Sequence, residues 1–228
     1  MEGNQLSDLL IEGISGASGG TYENVKIDGV GKISDSIVAR TFKGNGHMHF
    51  KANLTAQEME CNGLLKVKGD LRFGNMETDG LLNVEGRISG ESCKLNGVIS
   101  VKGDCELENF IGEGSFTVGG LLSAGQVEFR LQGQGKASEI GVESLVIRQG
   151  NNSMWNKVWG ELIPKLKPEL HAGTIEGDRI DLEYTIADVV RGNEVIIGQG
   201  CTIALVEYRS KLALHPKANI GKAVKVSE

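Results

Sequence analysis

Proline and aromatic residues are scarce in this sequence, which has 3 Pro and 5% aromatics in 228 residues against 33 Gly. Few large rings are therefore available to anchor a globular core or a partner interface. Glycine without proline favours tight, regular turns over a disordered linker. The chain is nevertheless long enough to bury a core. The composition predicts a folded protein with frequent sharp turns.

Other absences exclude whole classes of function. The formal net charge is −6 and the lysines are spread along the chain, so no basic stripe is available to neutralise nucleic acid. The sequence lacks a basic and apolar leader, and no run approaches the roughly 18 apolar residues of a spanning helix. We therefore expect a cytoplasmic protein. The cysteines form no CxxC pair and are predicted to be reduced core thiols rather than zinc ligands or disulfides: Cys61, Cys93, Cys105 and Cys201.

Catalytic signatures are also missing. The chain contains no GxxxxGK[ST], no nucleophile elbow and no HExxH, so we predict no enzyme activity, no catalytic residues and no cofactor. His47 and His49 would share one face of a strand, which could suggest a metal site. The positions equivalent to His49 in the next two repeats are Lys66 and Asn83, so no third ligand follows in register. We predict no metal site.

The dominant feature of the sequence is an internal repeat of 17 residues. Six glycines recur at this interval: Gly29, Gly46, Gly63, Gly80, Gly97 and Gly114. Counted from each glycine as position one, positions three, five, nine and fourteen are apolar almost throughout, whereas positions four and six are mostly polar, with Lys, His, Asn or Glu in eight of the twelve cases, Ser or Thr in three more, and Gly119 in the last. Apolar third and fifth positions around a polar fourth have the period of a strand with one buried face.

Asn-Gly and Asp-Gly pairs mark the turns between these short strands, for example at Asn62-Gly63 and Asp79-Gly80. Such pairs also occur in antiparallel hairpins, which are the main structural alternative. The constant register favours a coil in which each strand pairs in parallel with its counterpart one turn further on. The predicted fold class is all-β: a right-handed parallel β-helix of about 17-residue coils with one short amphipathic helical insertion.

The repeat divides the chain into four parts. Residues 1–22 form an N-terminal segment that could act as a cap, and residues 23–150 form the regular β-helix, with a two-residue insertion at Leu131-Gln132. Residues 151–172 form the insertion, and residues 173–228 form less regular coils and the C-terminal end. We expect ten or eleven coils in all, hence a rod on the order of 50 Å long.

The predicted insertion contains both tryptophans. Its apolar residues recur at helical spacing on one face: Met154, Trp155, Val158, Trp159, Leu162 and Ile163. Pro164 should end or kink this helix. One interpretation is a lid packed on a flank or end of the rod. The other is a contact for a membrane surface or a protein partner through the six residues named above.

The segments "NGLLKVKGDLRF", "DGLLNVEGRI" and "NGVISVKGDCEL" resemble the bactofilins, the polymer-forming bacterial cytoskeletal proteins. The resemblance covers residues 23–150 and, more weakly, 173–226, and includes the V-x-G-D motif at Val67–Asp70 and Val101–Asp104. It implies a right-handed β-helix that polymerises end to end without nucleotide into non-polar filaments, often on the inner face of the cell membrane. It also implies that such filaments position cell-envelope or motility proteins.

Two other functions remain open on the sequence. The first is a non-polymerising β-helical scaffold, in which the insertion and the termini cap the rod and its faces bind a protein or membrane partner. The second, more remote, is a hexapeptide-repeat acyltransferase, a β-helix of 18-residue coils that uses a His as general base. The 17-residue repeat and the glycine positions of this chain disfavour the second.

Overall fold

The computed structural model describes residues 6–150 and 167–227, and this part of the chain folds as a parallel β-solenoid of about 12 turns. Eleven strands pair in sequence order within one sheet, and the described residues contain no helix. At roughly 4.8 Å per turn the rod is about 58 Å long. The all-β, parallel class is confirmed. The strands are Leu9–Ala17 (β1), Gly20–Ile33 (β2), Ile37–Phe50 (β3), Leu54–Val67 (β4), Leu71–Val84 (β5), Ile88–Val101 (β6), Cys105–Gln149 (β7), Leu170–Leu182 (β8), Thr185–Ile197 (β9), Thr202–Leu214 (β10) and Asn219–Lys225 (β11).

The 17-residue repeat is the register of the solenoid. From β2 to the start of β7, every paired residue lies 17 positions from its partner, as Gly46 does from Gly63 and Gly63 from Gly80. Because each strand pairs in parallel with the next coil, equivalent residues stack directly on one another. The hairpin alternative is therefore wrong.

The four apolar columns of the repeat fill the interior. Their members are buried in coil after coil; one column comprises Phe42, Met59, Met76, Cys93, Phe110 and Val127. All four cysteines are buried and free, as predicted. Burial raises the pKa of the Cys61 and Cys93 thiols to about 12, so both are protonated at neutral pH.

The V-x-G-D motif ties neighbouring coils together at one corner. The Asp70 carboxylate accepts a hydrogen bond from the Arg87 amide at 3.0 Å, and the Asp104 carboxylate accepts one from the Leu121 amide at 3.0 Å. The side-chain oxygen of Asn53 likewise accepts a hydrogen bond from the Asp70 backbone amide at 2.9 Å. Each bond spans 17 residues and satisfies a backbone donor that the strand ladder leaves free at the corner. The motif therefore links neighbouring coils by hydrogen bonds from the backbone of one coil to a side chain of the other.

The column of repeat glycines forms a second corner, where the backbone adopts positive φ in seven successive coils, from Gly13 to Gly114. At Gly80, with φ +141°, a Cβ atom would lie 2.0 Å from the Gly63 carbonyl oxygen. The backbone of the coil below therefore leaves no space for a side chain. This close stacking explains why the column is occupied by glycine alone.

Substitution of Gly80 by alanine should lower the free energy of unfolding by about 2–3 kcal/mol, because both the positive φ and the backbone contact oppose a Cβ. Gly141→Ala is the matched control, since its Cβ would meet only the Leu121 Cδ1 at 3.9 Å. That change should stay within about 0.5 kcal/mol. Thermal unfolding followed by circular dichroism measures both, and equal stabilities for the two variants would contradict the steric explanation.

The register changes in the second half of the rod. The Ser138 hydroxyl donates to the Gly119 carbonyl and the Gly150 amide donates to the Leu131 carbonyl, and each bond spans 19 residues. The coils around Leu131-Gln132 are therefore longer than 17 residues, which is consistent with the insertion predicted there. Beyond it, β8 pairs with β9 at an offset of 15, β9 with β10 at 16 to 17, and β10 with β11 at 17, so the coils there differ in length. The rod has about 12 turns where ten or eleven were expected, and one of them is the β1 coil, which lies in the segment predicted as a cap.

Two predicted boundaries need correction. The segment 1–22 already contains β1 and the start of β2, because Leu9–Ala17 pair with Val25–Ile33 as an ordinary coil at an offset of 16. The segment 151–172 ends too late, because β8 begins at Leu170 and Leu170 is fully buried. The predicted amphipathic helix falls largely within 151–166, outside the described residues. No helix among the described residues could cross a membrane.

Candidate functional site

The six residues predicted to contact a membrane or partner lie outside the described part of the chain: Met154, Trp155, Val158, Trp159, Leu162 and Ile163. The residues on either side of them are described, so the structure places the two points from which segment 151–166 leaves the rod. These points decide whether the segment is attached at an end or on a flank.

The segment is attached on a flank, between two neighbouring coils. The Gln149 side-chain amide donates to the Pro168 carbonyl at 3.3 Å, so the two attachment points lie side by side. The Gly150 amide bonds the coil before, at Leu131, and the Leu170 amide bonds the coil after, at the Tyr184 carbonyl 2.9 Å away. The ladder thus continues past the insertion without a break.

An ion pair fixes the first attachment point. The Arg148 guanidinium donates to both carboxylate oxygens of Asp181 in the next coil, at 2.9 and 2.5 Å. Arg148 also donates to the Asp181 carbonyl at 3.3 Å. The hydrogen bonds to the Asp181 carboxylate raise the pKa of Arg148 above its ordinary value. A two-pronged contact of this kind is geometrically specific and holds the strand before the insertion against the coil that follows it.

A second polar cluster fixes the other attachment point. Glu169 lies between Lys167 and His171, at 2.8 Å from the Nζ of the first and 2.8 Å from the Nε2 of the second. Hydrogen bonding to Lys167, followed by that to His171, holds the pKa of Glu169 below its ordinary value. The first end of the insertion is therefore tied to the next coil by an ion pair, whereas the charged contacts at the second end lie within residues 167–171.

The first end of the rod is the β1 coil. β1 pairs only with β2, so its outer edge of amides and carbonyls is open among the described residues. Two of its apolar side chains are largely exposed, Leu10 by 59% and Ile14 by 86%. An open strand edge with apolar neighbours is the type of surface that pairs with another chain.

The second end comprises β11 and the last part of β10. β11 pairs with Thr202–Tyr208 only, so Lys211–Leu214 pair with β9 on one side and present an open edge on the other. Leu214 is 46% exposed at this edge. Both ends of the described rod therefore present unpaired strand edges.

The two ends carry opposite charge. The first coil, residues 6–19, holds Asp8 and Glu12 and no basic residue. The last stretch, residues 208–227, holds five exposed basic residues and no acidic one: Arg209, Lys211, Lys217, Lys222 and Lys225. None of the five forms an ion pair with a carboxylate of the described residues. The net charge of the whole chain does not show that its two ends differ in the sign of their charge.

The histidine pair considered from the sequence lies on the outer face of β3. His49 is stacked between Lys32 and Lys66. Its pKa is lowered by burial first and then by Lys66 and the other lysines around it. A ring of positive charge opposes the binding of a cation at this position. The described residues contain no group of three His, Cys, Asp or Glu side chains able to hold a metal.

The charge of the two ends could have been detected in the sequence by counting charges segment by segment. The open edges could not, because they depend on where the first and last strands stop around the rod. The position of the insertion on the flank could not be predicted from the sequence either, because it depends on the register between β7 and β8.

Comparison with known proteins finds relatives for about half of the chain. Residues of this chain are 37% identical over 108 positions to the uncharacterized protein YhbF of Bacillus subtilis (strain 168), covering 47% of this chain and 42% of the relative. They are 39% identical over 112 positions to the uncharacterized protein YhbE of the same organism, covering 48% and 44%. The match thus spans less than half of either relative. No family model matches the chain, and no solved structure gives a significant match.

Proposed function

We propose that this chain is a bactofilin-like structural protein that assembles end to end into nucleotide-independent filaments or scaffolds in the cytoplasm. The observation that carries the proposal is the open strand edge at each end of the described rod. A parallel ladder can continue from one copy into the next, because an added strand satisfies the unpaired donors and acceptors. The proposed role is mechanical positioning of other proteins, and no catalytic residue takes part.

The insertion supplies a contact for a second component in this proposal. Because segment 151–166 is attached on the flank, its attachment point leaves the strand edges at both ends of the rod open. The tryptophan-bearing face predicted there suits a membrane surface or an envelope or motility protein. The alternative is a non-polymerising scaffold that uses the same flank contact without assembling.

Electron microscopy and light scattering of the purified chain, measured across concentration, test the assembly. We expect filaments whose number grows above a critical concentration, in the absence of nucleotide. A variant lacking residues 151–167 joins Gly150 to Pro168, whose carbonyl already accepts a hydrogen bond from the side chain of Gln149, the residue before Gly150. We expect this variant to assemble as well, because the strand edges at the ends are unchanged.

A control variant replaces residues 151–167 with a Gly-Ser segment of equal length, so that the loop remains but its apolar face is lost. It should form filaments like the intact chain, but it should no longer co-sediment with anionic lipid vesicles. Filaments only after deletion would identify the insertion as a block on assembly. If neither the intact chain nor the deletion variant exceeds a dimer, the polymer is ruled out and the scaffold alternative stands.

A further inference from the structure

We propose that one outer face of the rod binds the surface of a bilayer that contains anionic lipids. This face, called the lysine face, consists of the outward side chains at positions two, four and six of each coil from β1 to β6, counted from the repeat glycine as position one. It is separate from the ends of the rod, and its role does not depend on end-to-end assembly. It deepens the flank contact proposed above, because it selects the membrane as the second component and adds a surface of the described rod to that contact.

The 17-residue register brings together lysines that are spread along the sequence. Position four stacks Lys32 on His49 and His49 on Lys66. Position six adds Lys51 and Lys68, whose amides each bond a carbonyl of the coil before at 2.9 Å. Because equivalent residues of neighbouring coils lie roughly 4.8 Å apart, these side chains form one continuous basic surface.

The protein neutralises only part of this charge. The lysine face holds five lysines and a single carboxylate, that of Glu85, which lies 3.3 Å from the Nζ of Lys66 and 3.4 Å from that of Lys102. The other three lysines form no ion pair with a carboxylate of the described residues. Their positive charge therefore remains for an anionic partner.

The surroundings of His49 show that the lysines act at one place. Burial lowers the pKa of His49, and Lys66, Lys68, Lys51 and Lys32 lower it further. The His49 Nε2 is buried and has no hydrogen-bond partner among the described residues. Four cations thus surround one point of the face, and such a concentration of positive charge attracts the phosphate groups of anionic lipids.

A mostly apolar column borders the lysines along the glycine corner. Position two stacks in register through six coils, and none of its members there is buried: Ile14, Val30, His47, Leu64, Leu81 and Val98. Ile14, at the start of the column, is 86% exposed. Lysines beside aliphatic side chains suit a bilayer, where the cations contact phosphates and the apolar groups enter the boundary of the acyl region. Nucleic acid would contact the lysines but leave the apolar column without a partner.

The lysine face borders the corner from which the insertion leaves the rod. A Cβ at Gly135 would touch both Phe116 and Leu170 at 3.1 Å, so Leu170 lies in the column of Phe116, which is position three counted from Gly114. The segment 151–166 therefore leaves the rod at the glycine corner, along which the apolar column runs. The face itself measures roughly 24 Å along the rod and roughly 13 Å from position two to position six.

The two contacts can therefore reach the same bilayer. A basic surface alone attaches a protein weakly, and stable attachment requires a second, apolar contact. We expect the lysine face to supply the first and the insertion to supply the second. This division agrees with the loss of co-sedimentation expected when a Gly-Ser segment replaces residues 151–167.

Co-sedimentation with lipid vesicles tests the lysine face. The unmodified chain should bind vesicles that contain phosphatidylglycerol far more than vesicles of phosphatidylcholine alone, and added salt should release it. The double variant Lys51→Gln, Lys68→Gln should lower its partition onto the phosphatidylglycerol vesicles about thirtyfold, because each lysine near an anionic surface contributes about fivefold.

The matched control is the double variant Lys43→Gln, Lys94→Gln, which removes the same charge from another outer face. Lys43 and Lys94 are bonded to Glu60 and Glu77 of the neighbouring coils, each at 2.9 Å. This control should bind the vesicles within about twofold of the unmodified chain, because its lysines are already paired and face away from the bilayer. Equal losses in the two double variants would overturn the lysine face, since only net charge would then matter.

A fluorescent label shows which face meets the bilayer. An environment-sensitive dye on Leu64→Cys should shift its emission to shorter wavelength when phosphatidylglycerol vesicles are added. The same dye on Gln57→Cys, an exposed position on another face of the same strand, β4, should not respond. The four native cysteines are all buried, so the dye reacts at the introduced thiol.

The outcomes separate the lysine face from the other contacts. Weaker binding of the Lys51→Gln, Lys68→Gln variant alone, with a dye response only at position 64, supports it. Unchanged binding of that variant overturns the lysine face and leaves the contact through the insertion in place. If the folded chain binds no phosphatidylglycerol vesicles at any salt concentration, both membrane contacts are overturned and a protein partner remains. Filament formation is measured without lipid, so its failure is a separate result.

Discussion

Replacement of Ala223 by proline should abolish end-to-end assembly while the rod remains folded. Ala223 lies in the last strand, β11, and is exposed. The Val226 amide donates to the Tyr208 carbonyl of β10 at 2.9 Å, so alternation along the strand directs the Ala223 amide toward the open edge. Proline at this position removes a donor that only a further strand would use, and its ring obstructs that strand.

The expected result is a rise of more than about tenfold in the critical concentration for assembly, since hydrogen bonds and contact area at the junction are lost together. The circular dichroism spectrum and the thermal midpoint should match those of the unmodified chain, because no bond within the rod is removed. Ala223→Val is the matched control, as it keeps the amide and suits a strand. Filaments formed equally well by the proline variant would show that this edge takes no part in assembly.

The sequence predicted the fold to the extent that one coil resembles the next. Between Gly29 and Val118 the apolar, polar and glycine positions recur at a constant spacing, because each position stacks on its counterpart in the next coil. This spacing alone specifies the register of the strands. After Leu131 the coils differ in length, and the offset of 15 between β8 and β9 occurs only once, so it does not stand out in the sequence as a repeat. The regular half was therefore predictable in detail and the irregular half only in kind.

The candidate site depends on features that a repeat does not encode. The ends are defined by the residues where stacking stops, and the sequence around Leu9 or Lys225 looks like that of any other coil edge. The place where the insertion joins the rod depends on the contacts of Arg148 with Asp181 and of Gln149 with Pro168, which are separated along the chain by up to 33 residues. Sequence patterns within one coil give no information on either.

Together these features assign separate roles to separate parts of the rod. The interior columns and the corner carboxylates, such as Asp70 and Asp104, hold coils together within one chain. The ends provide the surfaces proposed for assembly, and the flank carries the insertion. A substitution in one part should therefore leave the others unchanged, as expected for a structure in which each coil contacts mainly its neighbours.

Phe129→Ala provides the strongest test of this separation. Phe129 is 1% exposed, and its ring centroid lies 5.2 Å from that of Phe110 and 5.0 Å from that of Phe116, so three rings from two coils form one cluster. Truncation of a buried phenylalanine leaves a cavity and should lower the free energy of unfolding by about 3–5 kcal/mol. For a chain of this length that corresponds to a fall of roughly 10 °C in Tm.

The control for Phe129→Ala is Leu121→Ala, at a side chain 39% exposed on the surface of the same strand, β7, which should change Tm by no more than about 2 °C. Below the unfolding transition Phe129→Ala should form filaments at the same critical concentration as the unmodified chain, because the cluster lies many coils from β1 and several from β11. Loss of assembly at a temperature where the variant is still folded would show that the ends and the core are coupled. Retention of assembly together with the lowered Tm would establish that the stability of the rod and the contacts at its ends are independent of each other.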